Sequence, residues 1–150
     1  MTTSSDTSFD VAQITHIRID VDRVTFEIVI HPQAPARTTP ELAQRAVELR
    51  PNLAQHACVN SASRAGRTQP TFGSVIDDTP LPHLLEHLAI DVLIEQAGDE
   101  YGSEPTFVGT SEWIDRAART AQIQLSCPDD LLVLRAFSDA LQLLNTIVVG

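Results

Sequence analysis

The segment Leu81-Pro82-His83-Leu84-Leu85-Glu86-His87-Leu88-Ala89-Ile90-Asp91-Val92-Leu93-Ile94 constrains the fold more than any other part of the chain. Thr79-Pro80 is a helix start, and Gly98 stands where a C-terminal glycine belongs, so the spacing predicts a helix running to about Gln96. At 100° per residue, Leu84, Leu85, Leu88, Ala89 and Val92 occupy one arc. His83 and His87 lie on the other side, where Ile90 and Ile94 share their sector. A helix apolar on two sides is buried by neighbouring layers, and its histidines border a pocket rather than solvent.

The rest of the chain supplies those layers. Ile17, Ile19 and Val21 alternate with polar neighbours, as do Val24, Phe26, Ile28 and Ile30, so two half-buried strands are expected with a hairpin at Asp22-Arg23. Pro32 and Pro35 end the second strand. Thr39-Pro40-Glu41 starts a helix that Pro51 interrupts after Arg50. Asn52 to Asn60 fits a short helix, residues 61–71 a loop, and Phe72 to Ile76 a short strand. Residues 98–105 read as loop, and Thr106 to Ile114 fits either strand or helix. Ala121, Ile123 and Leu125 mark a further strand. Pro128-Asp129-Asp130 opens a last helix, with Leu134, Phe137, Leu141, Leu144 and Val148 as its buried stripe. The expected fold is α+β: a largely antiparallel sheet of about four strands with helices layered on one face. Residues 1–10 are rich in Ser, Thr and Asp and read as a disordered tail, leaving one domain over 11–150.

Charge narrows the partners. Twenty acidic residues stand against ten basic ones, all arginine, for a net charge of −10. Such a surface repels phosphate backbones and anionic lipid, so neither nucleic acid nor membrane is an expected partner. Cys58 and Cys127 make no disulfide framework, and the polar, acidic start lacks a signal-peptide pattern, so a cytoplasmic location with reduced thiols is expected.

His83-x-x-Glu86-His87 carries the chemistry. Histidines four apart on a helix project to one side and can share a metal ion, with Glu86 in the same turn able to move a proton. This is the inverted zinc-hydrolase signature. A catalytic zinc usually takes three protein ligands plus water, so a further ligand is needed. Cys58 and His56 upstream, and Cys127, Glu104 or Glu112 downstream, are the candidates, with the thiols leading on chemistry. A lone cysteine is also commonly a small core residue.

From Pro51 to Gly98 the sequence resembles the N-terminal domain of cyanophycin synthetase. The matching residues are Leu53, His56-Ala57-Cys58, Gly66, Phe72, Thr79, His83, Glu86, His87, Ala89, Leu93 and Ala97-Gly98. Phe107-Val108-Gly109-Thr110 is similar to the family's Phe-Gly-Lys-Thr, so the likeness spans about two thirds of the chain. It departs in the longer loop between Cys58 and His83, in Asn60-Ser61-Ala62 where the family is glycine-rich, and in the missing lysine. The family's two ATP-dependent ligase domains have no counterpart in these 150 residues, so polymer synthesis is not expected of them.

The resemblance implies a two-layer fold similar to inverted zinc peptidases and S-ribosylhomocysteine lyase. It implies zinc held by Cys58, His83 and His87, with Glu86 as general base, in a metallopeptidase or amidase cutting a cyanophycin-like or other unusual peptide amide. An arginine-bearing peptide or polymer would suit the acidic chain, with Arg64, Arg67 or Arg116 on backbone carboxylates. The alternative is a non-catalytic module that binds polymer or docks on a ligase partner; association with a second copy is also open. A third option is a lyase or isomerase using Cys127.

Overall fold

Alternation and turn chemistry set up the sheet. The computed structural model describes residues 9–56, 71–97, 108–126 and 129–149. Strands β1 (Ala12–Ile19), β2 (Val24–Ile30), β3 (Val108–Asp115) and β4 (Thr120–Ser126) form an antiparallel sheet in the order β1-β2-β4-β3. Helices α1 (Pro40–Leu49), α2 (Leu81–Ala97) and α3 (Asp130–Val149) complete an α+β fold. Of the expected tail only Phe9 and Asp10 are described, and residues 57–70 and 98–107, which include most of the expected loops at 61–71 and 98–105, lie outside the described residues. Phe9 stacks on His31 at 4.2 Å, and Asp10 accepts a hydrogen bond from Asn145.

On β2 and β4, one face is fully apolar. Val24, Phe26, Ile28, Ile30, Ala121, Ile123 and Leu125 are all buried, while Glu27, Gln122 and Gln124 point to the opposite, wetter face. Phe26 stacks on Phe137 of α3 with ring centroids 3.8 Å apart, fastening helix to sheet. β1 pairs as its alternation predicts, Ile17 opposite Phe26 and Ile19 opposite Val24. Yet Ile17 and Ile19 remain about half exposed, and Val21 fully so, while Phe26 and Val24 on β2 are buried, so this end of the edge strand β1 lies beyond the helix layer.

α1 follows its caps. Thr39 Oγ1 accepts from the Leu42 N–H, Pro40 occupies the first turn, and Pro51 ends the α-helix after Arg50 and opens a 3₁₀ turn. That turn covers only Pro51–Gln55 of the expected short helix; residues 57–60 lie outside the description. The expected strand at Phe72–Ile76 is instead a 3₁₀ turn, Phe72–Ser74. Its ladder partner is not a strand: the Phe72 N–H donates to the His56 carbonyl at 2.7 Å, and Gly73 lies so close to Ala54 that a Cβ there would approach its carbonyl to 2.9 Å. The ambiguous segment after Thr106 is strand β3, drawn out by pairing along β4.

α3 buries Val133, Ala136, Phe137, Ala140, Leu144 and Ile147. Leu134, Leu141 and Val148 are half-buried on the shoulders of that stripe, which is rotated from the expected one so that Val133, Ala136, Ala140 and Ile147 join Phe137 and Leu144 in the core. By length and composition α3 would suffice to cross a bilayer, with a mean hydropathy of 1.4. Here its apolar stripe belongs to the core shared with α2 and the sheet.

α2 is the centre of the fold. Thirteen of its 17 residues are buried, so the two-sided apolar pattern is met by α3 on one side and by β3 and β4 on another. Its start is clamped to the chain after β2. The Leu81 N–H donates to Ala36 O, and buried Thr38 links the two segments, donating to Ile76 O and accepting from the Thr79 N–H.

Candidate metal centre

His83, Glu86, His87 and Asp91 recur at spacings of three and four along α2, so they share one face. A single donor atom from each of His83, Glu86 and His87 lies within 4.8 Å of the others, deep enough that Glu86 and His87 are about 5% exposed or less. His87 Nε2 lies 3.9 Å from Glu86 Oε2. The three form the floor of a cleft of about 1240 Å³ between α2, β3 and the Pro51–Gln55 turn. Pro82, Ile90, Ile94 and Trp113 make its apolar wall, and Glu95 and Glu112 bring acidic groups to it.

Each donor is held by a neighbour. His83 Nδ1 is 2.8 Å from Thr79 Oγ1. The Phe72 ring stacks on His87 at 4.1 Å and meets His83 edge-on at 4.9 Å. His87 Nδ1 is 3.1 Å from His56 Nδ1; His56 Nε2 is 2.9 Å from Asp91 Oδ1; Arg50 closes the chain with Nε 2.6 Å from Asp91 Oδ2 and Nη2 2.7 Å from Glu95. Glu86 faces β3, where Ser111 hydrogen-bonds its carboxyl group and Gly109 lets the strand pass close over it.

Burial sets the charge states. Desolvation pushes the Glu86 carboxyl up to about 7, opposed by the Ser111 hydrogen bond. It pushes His87 down to about 3, helped by repulsion from the neighbouring imidazoles of His83 and His56, and it also lowers His83. Burial works to raise Asp91, but hydrogen bonds from His56 and Arg50, together with the Arg50 charge, outweigh it and hold that carboxyl below its usual range.

The structure brings together three of the four expected site residues, His83, Glu86 and His87. The fourth, Cys58, lies outside the described residues, as do Cys127, Glu104, Arg64 and Arg67. Of the other ligand candidates, Glu112 lines the cleft but is exposed and outside the cluster. His56 has both ring nitrogens engaged, one by His87 and one by Asp91, so it stands behind the cluster rather than in it. Arg116 is exposed at the β3–β4 turn and does not line the cleft. Reading the sequence for chemistry missed Asp91, Arg50 and Ser111, and named Gly109 only within the family-like Phe107-Val108-Gly109-Thr110 without a role at the site. Of the three missed, Asp91 carried a signal, its place one helical turn after His87. No protein-family model, curated protein or solved structure matches the chain.

The donor set suits a metal ion. Two imidazoles kept neutral by burial offer lone pairs without first losing protons, and a carboxylate in the same pocket gains from a neighbouring cation. The metal's identity is not fixed by these donors, since nitrogen and oxygen ligands serve several first-row ions.

Proposed function

We propose that the chain is a zinc-dependent hydrolase of the peptidase or amidase type, cutting a cyanophycin-like or other unusual peptide amide. The observation that carries this reading is the convergence of His83, Glu86 and His87 at the floor of a cleft large enough for a peptide segment. The resemblance to the synthetase N-terminal domain supports it and gives Cys58, two residues beyond His56, as a further ligand beside His83 and His87. When bound, zinc would supply Lewis acidity and bring the ionisation of a coordinated water close to neutral pH.

Glu86 is then the proton carrier. Its carboxylate would accept a proton from the attacking water and yield it to the departing amide nitrogen. Ser111 orients this carboxyl group from β3. The cleft walls bind substrate: Ile90, Ile94 and Trp113 cover apolar stems, and Glu95 and Glu112 attract cationic ends such as guanidinium groups.

Metal analysis of the purified protein beside Cys58→Ser and His87→Ala tests the reading. Near-unit zinc in the wild type and its loss in His87→Ala are expected. Glu86→Gln should keep the metal and lose roughly 10²–10⁴-fold in amide cleavage, the contribution of a positioned general base. Absence of zinc from the wild type would overturn the metalloenzyme. Undiminished cleavage by Glu86→Gln would overturn the role of Glu86. Zinc without cleavage of arginine-bearing or other peptide amides would leave a binding module.

A further inference from the structure

The chain His87–His56–Asp91–Arg50 is not needed to assemble the donor cluster, yet it consumes both ring nitrogens of a largely buried histidine and both oxygens of a buried carboxylate. We infer that His56 and Asp91 are positioning residues that fix the tautomer of His87, so that its Nε2 presents a lone pair to the metal ion. The inference rests on the metal-binding reading of His83, Glu86 and His87 and adds what prepares that site.

Donor and acceptor counting leads to this assignment. The two Nδ1 atoms are 3.1 Å apart, so one of them carries the hydrogen and the other accepts it. An ionised Asp91 is an acceptor only, and it faces His56 Nε2 at 2.9 Å, so the His56 hydrogen resides on Nε2. With one hydrogen on each ring, His56 has a bare Nδ1, which accepts from the Nδ1–H of His87. That leaves His87 Nε2 as the lone-pair nitrogen, and Nε2 is the atom turned toward Glu86. The opposite assignment would put two lone pairs face to face between His56 and Asp91, or would leave a hydrogen on His87 Nε2 where the ion binds.

Arg50 holds the far end. Its guanidinium fixes Asp91 Oδ2 at 2.6 Å and leaves Oδ1 for His56. The Phe72 ring stacked on His87 keeps the imidazole from rotating out of this line. A carboxylate acting through one histidine on a ligand histidine extends the usual arrangement, in which the carboxylate touches the ligand directly.

Two measurements on the full chain test this. Nitrogen NMR of the imidazoles in metal-free, ¹⁵N-labelled protein reads the tautomers without any metal. Zinc titration against a competing chelator then reads affinity. In the wild type, His87 should carry its hydrogen on Nδ1. Asp91→Asn lets the side-chain amide donate to His56 Nε2, moves the His56 hydrogen to Nδ1, and should switch His87 to the Nε2–H form. Zinc affinity should fall about 10–100-fold in Asp91→Asn and in His56→Leu, the usual cost of losing a partner behind a ligand. His56→Gln, whose carbonyl oxygen can still accept from His87 Nδ1, should recover most of that loss, a rescue that generic loss of packing does not predict. A wild-type His87 protonated on Nε2 would overturn the inference, as would unchanged zinc affinity in both Asp91→Asn and His56→Leu. A wild type that shows the expected tautomer but takes up no zinc would instead refute the metal reading, so the two failures are distinguishable.

Discussion

Gly109 is the point where β3 passes closest to the chemistry of α2, and replacing it with alanine is a sensitive test of the site. A Cβ at residue 109 would lie 2.9 Å from Glu86 Oε2, 3.0 Å from Glu86 Cγ and 3.0 Å from Ile90 Cδ1. Non-bonded heavy atoms rest at about 3.5–4.0 Å, so three contacts are each short by roughly 0.5–1 Å. Glu86 and Ile90 are buried but also line the cleft, so relief means turning their side chains into that space and giving up the contacts they make now. Overpacking of this kind costs about 1–3 kcal/mol. The backbone at Gly109 is not in the left-handed region, so alanine also gains about 0.4–1 kcal/mol through the unfolded chain. The expected net loss lies between about 0 and 2.6 kcal/mol.

The Glu86 carboxyl is the group displaced, so the proposed amide hydrolysis should fall by about 10–100-fold while His83 and His87 keep their places. Urea unfolding and amide cleavage measure the two effects. The decisive arm is a double-mutant cycle with Glu86→Ala, which removes two of the three crowded atoms. In that background Gly109→Ala should cost about 1 kcal/mol less than in the wild type. An equal cost in both backgrounds would refute the reasoning, because the penalty would not arise at Glu86.

The remaining predictions concern the metal-free protein. Glu86 is raised from 4.5 to about 7, so its burial lowers stability as pH rises between those values. Below pH 4.5 both folded and unfolded forms hold the proton and no penalty exists; through the interval the unfolded chain ionises first, at about 1.4 kcal/mol per pH unit, and above 7 the full deficit persists. Glu86→Gln should therefore match the wild type near pH 4.5 and exceed it by about 3 kcal/mol near pH 8, measured by urea unfolding with chelator present. The depressed Asp91 works in the opposite direction, losing stability as pH falls, but it is common to both proteins and cancels in the difference. In the core, Phe137→Ala removes the ring stacked on Phe26 and should cost about 3–5 kcal/mol in the same assay.

Local rules made much of the fold legible. Thr39-Pro40 and Pro51 bracket α1 because capping and proline sterics act within a few residues. Alternation marked β2 and β4 because both strands have one face buried under helices. Burial of β1 was not legible, since it depends on how far the helix layer reaches, and Ile17 and Ile19 project past it. Phe72–Ser74 defeated a local reading because its shape comes from docking on the turn that ends at Gln55. In the site, the i, i+3, i+4 spacing put His83, Glu86 and His87 together. The partners that tune them come from elsewhere in the chain: Ser111 and Gly109 on β3, His56 and Arg50 around the 3₁₀ turn. Nothing local signals such pairings.

The electrostatics of α2 give the strongest physical reason to regard the cluster as functional. Burial drives Glu86 and His87 toward their uncharged forms, one pKa rising and the other falling. A helix selected only for packing would carry apolar residues at these positions, as it does at Leu84, Leu85 and Leu88 on the opposite arc. A divalent cation would reverse the Glu86 term and act in the same direction as burial on the imidazoles. Neutral imidazoles become donors that need shed no proton, and a carboxyl group that was costly to ionise acquires a counter-charge. Glu86, which weakens the metal-free fold at neutral pH, is thus a group that would gain from the ion, and a free-energy deficit of that kind in a buried cleft marks a candidate site.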